Sequence, residues 1–214
     1  MNNKTLKIHL LIVLFTVISC DTNVKKSAEK LVENEPLTNK EEKIYGTWEY
    51  TKNNTTVMDD GGTLAIIDEG IVTYMRGGRI NGEGTISWEF EYADEEMDED
   101  KRAFITAVFQ KFDFEHIGSG SWKVEDNFLI SILEDISISI ADQDGIEYKN
   151  SADLDELGQL RLEQYNDILG RIQNLPKGLS SSEEIITLTK DLMTLKTTNA
   201  KDEPSYTNYT RVKK

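Results

Sequence analysis

The stretch Ile44-Tyr45-Gly46-Thr47-Trp48-Glu49-Tyr50 decides how the rest of the chain is read. Its aromatic and β-branched residues suit a pleated strand, and the segments on its two sides differ in kind. Before it run an apolar leader and a charged segment. After it come short apolar runs broken by glycine, asparagine and aspartate, the punctuation of an all-β domain. Ile44 to Tyr50 is therefore expected to be the first strand of a barrel that the later strands close.

Beyond Trp48, Asn53-Asn54 and Asp59-Asp60-Gly61-Gly62 bound one connection. Thr63 to Asp68 and Ile71 to Arg76 read as strands, with Glu69-Gly70 as a turn between them. The run Gly77-Gly78-Arg79-Ile80-Asn81-Gly82-Glu83-Gly84 lacks the Gly-Lys-Ser/Thr ending of a phosphate-binding loop and the Gly-x-Gly-x-x-Gly spacing of a dinucleotide fold. It is expected to be a hairpin loop closed by Asn81-Gly82, a pair suited to positive φ. Thr85 to Tyr92 alternates strictly: Ile86, Trp88, Phe90 and Tyr92 share one face, while Thr85, Ser87, Glu89 and Glu91 share the other, which gives one core face and one solvated face.

Asp94-Glu95-Glu96-Met97-Asp98-Glu99-Asp100 lacks the ordered ligands and the glycine of a calcium loop, and is expected to be a self-repelling solvated loop. From Ala103 to Glu115 a long strand places Phe104, Val108, Phe112 and Phe114 on one face with Thr106 and Gln110. Ile117-Gly118-Ser119-Gly120-Ser121 reads as a turn. Further strands follow at Trp122 to Val124, Phe128 to Leu133, Ile136 to Ile140 and Ile146 to Lys149. The period then changes: Leu154, Leu157, Tyr165, Ile168, Leu169, Ile172 and Leu175 fall near helical spacing, with Ser151 before them and Pro176 and Gly178 after, so one amphipathic helix is expected over about residues 152–175. Strands resume at Glu184 to Thr189, Leu192 to Thr198 and Tyr206 to Val212.

Gly46 and Trp48 in a first strand, answered by Tyr209-Thr210-Arg211-Val212 near the end, resemble the lipocalin superfamily. The segment from Ile185 to Leu195 is similar to the closing part of bacterial lipocalin-like lipoproteins. The resemblance implies that Trp48 plugs the barrel floor beside Gly46 and that Arg211 packs over its ring. It carries an expectation of a mainly β domain over residues 44–214: an antiparallel lipocalin-like β-barrel of about 8–10 strands. The long helix is expected before the last strands, whereas the familiar lipocalin helix follows the eighth.

At the start of the chain, Lys4 and Lys7 precede an apolar core from Leu10 to Ile18, which is too short to span a bilayer needing roughly 20 residues. Residues 1–19 therefore read as a signal peptide. Val17-Ile18-Ser19-Cys20 is similar to the bacterial lipobox, whose cysteine is acylated and becomes the new N-terminus. Cys20 is the only cysteine, so no internal disulfide is available to it. Residues 20–43 hold the lipidated cysteine and a charged segment with few large apolar residues, expected to be a flexible tether. Lipidation on two or more chains makes the membrane a partner, with the protein in a bacterial cell envelope, at the outer membrane or the periplasmic face.

Charge and residue counts exclude several functions. Residues 1–20 contain two of the 24 basic residues and none of the 39 acidic ones, so the remainder carries a net −17. Nucleic acid is not an expected partner, because such binding needs clustered Lys and Arg. Beyond the leader His116 is the sole histidine, which argues against a His-rich metal site, and Ser119 and Ser121 do not meet the Gly-x-Ser-x-Gly elbow. No catalytic residue, metal site or cofactor is expected. The expected role is non-enzymatic binding of a small apolar or amphipathic molecule among Trp88, Phe90, Phe104, Phe112 and Phe114, with Thr106 and Gln110 as orienting polar groups. The rival expectation is an envelope interaction or structural module whose barrel is filled by its own side chains. If Cys20 carries the anchor, Cys20→Ala should abolish acyl-chain labelling, and equal labelling of the variant would contradict the assignment.

Overall fold

Trp48 lies in the first of eight strands that close on themselves. The computed structural model describes residues 36–57, 62–91, 111–141, 156–173, 178–198 and 204–213. The strands are β1 (Gly46–Val57), β2 (Thr63–Met75), β3 (Arg79–Glu91), β4 (Lys111–Glu125), β5 (Phe128–Ile140), β6 (Leu179–Leu188), β7 (Leu192–Thr198) and β8 (Pro204–Arg211). Each pairs antiparallel with its sequence neighbours, and β1 also pairs with β8, Trp48 opposite Arg211, to complete the ring. Closure gives each of these strands two neighbours, so none is an edge strand. Two α-helices accompany the ring among the described residues: α1 (Asn39–Ile44) before β1, and α2 (Glu156–Gln173) between β5 and β6. The fold is mainly β, with one long helix inserted before the last strands and the strand count at the lower end of the range expected. Such a closed antiparallel barrel is consistent with a lipocalin-like fold.

Several glycines that read as turns in the sequence instead lie inside continuous strands. Glu69-Gly70 is in the middle of β2, where Gly70 pairs with both Tyr50 and Gly84. A Cβ on Gly70 would lie 2.2 Å from the Glu83 carbonyl oxygen, so the strands approach there too closely for a side chain. Asn81-Gly82 is paired within β3, and the chain reverses earlier, at Arg76–Gly78, where Gly77 and Gly78 have φ of 76° and 68°. The Gly118-Ser119-Gly120-Ser121 run also stays in strand, and at the register shift between Ser119 and Gly120 the extra residue, Glu134, belongs to β5 and bends it. Phe128 to Leu133 and Ile136 to Ile140 accordingly form one strand, bent across Glu134-Asp135. A small closed barrel demands sharp coiling, and here glycines and a bulge supply it.

The ends differ from expectation too. The tether expected to run to Lys43, and the strand expected to start at Ile44, give way to a helix over Asn39–Ile44. It starts with a capping box in which Thr38 accepts from the Glu41 N–H and the Glu41 side chain accepts from the Thr38 N–H. β6 begins at Leu179, ahead of the Glu184 start that apolar content suggests, and α2 spans Glu156–Gln173. The leader with Cys20, the acidic run at residues 94–100, Ile146 to Lys149, and Ser151, Leu154 and Leu175 lie outside the described residues.

The closing contact is built from both ends of the domain. Arg211 stands over the Trp48 indole, its guanidinium carbon 4.1 Å from the ring centroid. The guanidinium donates to the carbonyls of Tyr45, Lys43 and Lys190, and the indole N–H donates to the Ile44 carbonyl at 2.7 Å. Gly46 is required beside it: its φ is +124°, and a Cβ there would sit 2.5 Å from Arg211 Nη1. Ile44, Val72, Tyr74, Trp122, Leu129, Ile185, Met193 and Leu195 pack with Trp48 to form the floor. Losing the indole by Trp48→Ala is expected to cost about 3–5 kcal/mol. Arg211→Ala should cost less in that background than alone, because both substitutions remove one contact. Urea titration of the single and double variants measures this, and strictly additive losses would contradict it.

Candidate functional site

The far end of the barrel is apolar and covered by α2. Leu64, Ile66, Trp88, Phe112, Phe114 and Ile138 point inward there, and Tyr165 and Ile168, three apart on one helix face, pack among them. The Tyr165 ring centroid lies 4.8 Å from that of Phe112 and 5.4 Å from that of Phe114, both edge-on. Arg161, one turn earlier, donates to the Lys111 carbonyl at 2.7 Å and lies over the Phe112 ring. Trp88, Phe90, Phe112 and Phe114 thus share the interior wall expected to receive a guest, Trp88 against Phe114 and Phe90 against Phe112. Part of that wall is taken by the helix. Phe104, and Thr106 and Gln110 as the expected orienting groups, lie outside the described residues.

Between this cluster and the floor lies a polar layer that the residue patterns alone do not announce. Side chains alternate along a strand, so parity fixes its members. Counting on from Trp48 puts Tyr50 and Lys52 inside; Leu64 and Ile66 are followed by Asp68, Phe112 and Phe114 by His116, and Ile185 is preceded by Glu183. The Tyr50 hydroxyl donates to Asp68 Oδ1 at 2.9 Å. His116 Nε2 lies 3.1 Å from the same oxygen and 3.3 Å from the Tyr50 hydroxyl. Gly84 makes room for this ring, since a Cβ there would be 3.0 Å from His116 Nε2.

Electrostatics follow from these positions. The hydroxyls of Tyr50, Tyr74 and Tyr209 are all pushed well above the usual phenol value, first by burial, and for Tyr50 next by Asp68. They remain neutral hydrogen-bonding groups. Glu183 is also raised, chiefly by burial and further by Asp68, with Lys52 opposing. Among the described residues no hydrogen bond or ion pair reaches its carboxyl. Glu183, Asp68, Lys52 and His116 all retain partial contact with open space although they face the interior. Interior position with residual exposure is what an unfilled lumen produces.

The outer wall carries a separate concavity of about 580 Å³ bordered by Ile71, Glu83, Ile117 and Asp135. These positions face away from the lumen, as their parity requires. The chain matches no protein-family model and no curated protein.

Because its folded-state pKa is raised, ionised Glu183 opposes folding above that value and is neutral toward folding below the ordinary carboxylate range. Glu183→Gln is expected to stabilise the protein at neutral pH, a gain that fades as the pH falls through the raised value toward the ordinary one. Denaturation midpoints against pH check this; a gain independent of pH would contradict it.

Proposed function

We propose that this chain is a lipid-anchored envelope lipoprotein whose barrel holds a small amphipathic molecule without acting on it chemically. The observation that carries this is Glu183: an interior carboxyl, raised chiefly by burial, with no partner among the described residues. A buried charge without a partner is costly, and a guest that bonds to it gives that cost a use. The guest's apolar part lies toward Ile86 and Phe90, which are only partly covered, and its polar part toward Asp68, His116 and Glu183. Acylated Cys20 holds the domain at the membrane, on the periplasmic face or at the outer membrane, so the guest is taken up or released at the lipid boundary.

One observation favours a second reading. Tyr165 and Ile168 already occupy the aromatic end, and a barrel filled throughout would leave only its outer surface for contacts, as an interaction module. Native mass spectrometry of the detergent-extracted protein separates the two. A binding barrel shows an added noncovalent mass that organic extraction removes. Ser181→Phe, which places a ring at an inward position beside Ser131, should abolish that mass and leave the fold intact. No added mass across a panel of lipids, together with unfolding of the Ser181→Phe variant, would establish the filled barrel instead.

A further inference from the structure

We infer that the floor end of the barrel rests on a lipid bilayer, with Tyr45, Phe128, Ile186 and Leu192 entering its interface. The inference rests on the membrane anchor proposed above and adds an orientation to it. Each of the four is the chain neighbour of a buried floor residue: Ile44, Leu129, Ile185 and Met193 respectively. The packing that turns one member of each pair into the floor leaves the other outside, where the four are 41%, 43%, 49% and 53% exposed. Strand order sets them along one arc of the rim, from the start of β5 past the end of β6 and the start of β7 to the residue ahead of β1. Exposed hydrophobic residues scattered singly need no explanation, but several gathered at one end form a patch, and a patch marks a contact surface.

The course of the chain selects the occupant. The start of α1 is held beside this arc, because Lys40 Nζ donates to the Asp126 carbonyl in the turn that leads into Phe128. The end of α1 is held there too, since Arg211 donates to the carbonyls of Lys43 and of Lys190, two residues before Leu192. Cys20 lies 18 residues before Thr38, so an acyl anchor on it keeps this end within about 65 Å of lipid even at full extension. Tethering makes docking an intramolecular step, and a patch too small to hold a free protein then suffices. Charge fits as well. Lys40, Lys43 and Lys190 stand among Glu42, Asp126 and Asp191 at this end, whereas the chain beyond residue 20 carries a net −17. Such a balance lets the arc approach zwitterionic lipid, while the charge of the whole chain repels a second copy. Tyr45 has the apolar body and polar tip that suit a membrane interface.

The experiment uses the full-length lipidated protein in phosphatidylcholine vesicles, a fraction of whose headgroups carry a nitroxide quencher. Flotation of the unsubstituted protein with the vesicles is read first. Phe128→Cys and Leu192→Cys are then labelled with one small fluorophore, which an acylated Cys20 does not take up. Both labels should be strongly quenched, and the same label on Val57→Cys, exposed at the opposite end of β1, should not. Adding Ile186→Glu to Phe128→Cys should release its label from quenching, because the interface disfavours a carboxylate. Flotation with equal quenching at all three sites would overturn the docking, leave the anchor standing and assign the arc to a protein partner. Stronger quenching at Val57→Cys would overturn it in favour of the opposite end. Failure to float would defeat the anchor and this inference together.

Discussion

The Trp48 indole beneath the Arg211 guanidinium is the contact on which the rest of the barrel depends. An antiparallel ring closes only if its first and last strands meet in one register, and here that register is marked by a stacked pair at its end. Arg211 does more than stack. Its guanidinium gathers the carbonyls of Lys43 and Tyr45, at the end of α1, and of Lys190, in the turn between β6 and β7. Carbonyls left open at a helix C-terminus are thereby satisfied by a cation. One side chain ties together α1, β1, β8 and the β6–β7 turn. With Trp48 pointing inward, alternation assigns every later residue of β1 to a side, and pairing carries that assignment around the ring.

The interior produced by this alternation is of two kinds. Both ends are apolar: the floor around Trp48, Tyr74 and Trp122, and the far cluster around Phe112, Phe114 and Tyr165. The middle is not. Tyr50, Asp68, His116, Lys52 and Glu183 come from five positions on four strands and converge where a barrel built only for stability would place leucine or valine. Apolar ends supply the burial that holds the fold, whereas in the layer between them burial disfavours the charge of Glu183. A functional site is where such a local conflict is expected.

Much of this is legible in the sequence, and the rest is hidden for definite reasons. The clean alternation of Thr85 to Tyr92 marks the inner wall, and the helical spacing of Tyr165, Ile168 and Leu169 marks α2. Glycine misleads because its two uses look alike in a linear sequence. Gly77 and Gly78 turn the chain through positive φ, whereas Gly70 and Gly120 let strands cross at distances no Cβ tolerates. Only the pairing partners reveal which is which. The start of β6 is silent because Ser180-Ser181-Ser182 carries no apolar signal, and α1 because its mostly charged and polar residues look like tether. The polar layer is within reach of the sequence: parity extended past each apolar anchor places Lys52, Asp68, His116 and Glu183 inside. Turns expected at Glu69-Gly70 and after His116 break that count on β2 and β4.

If the middle of the barrel is an accessible lumen, a thiol placed at Glu183 reacts from solvent. Cys20 is the only cysteine in the chain, so Glu183→Cys adds a single reporter, with the unsubstituted protein as the blank. A small charged methanethiosulfonate reagent should modify the new thiol in the folded protein under native conditions, far faster than the domain unfolds. Modification that occurs only at the rate of global unfolding would mean that the interior is packed shut and the lumen does not exist.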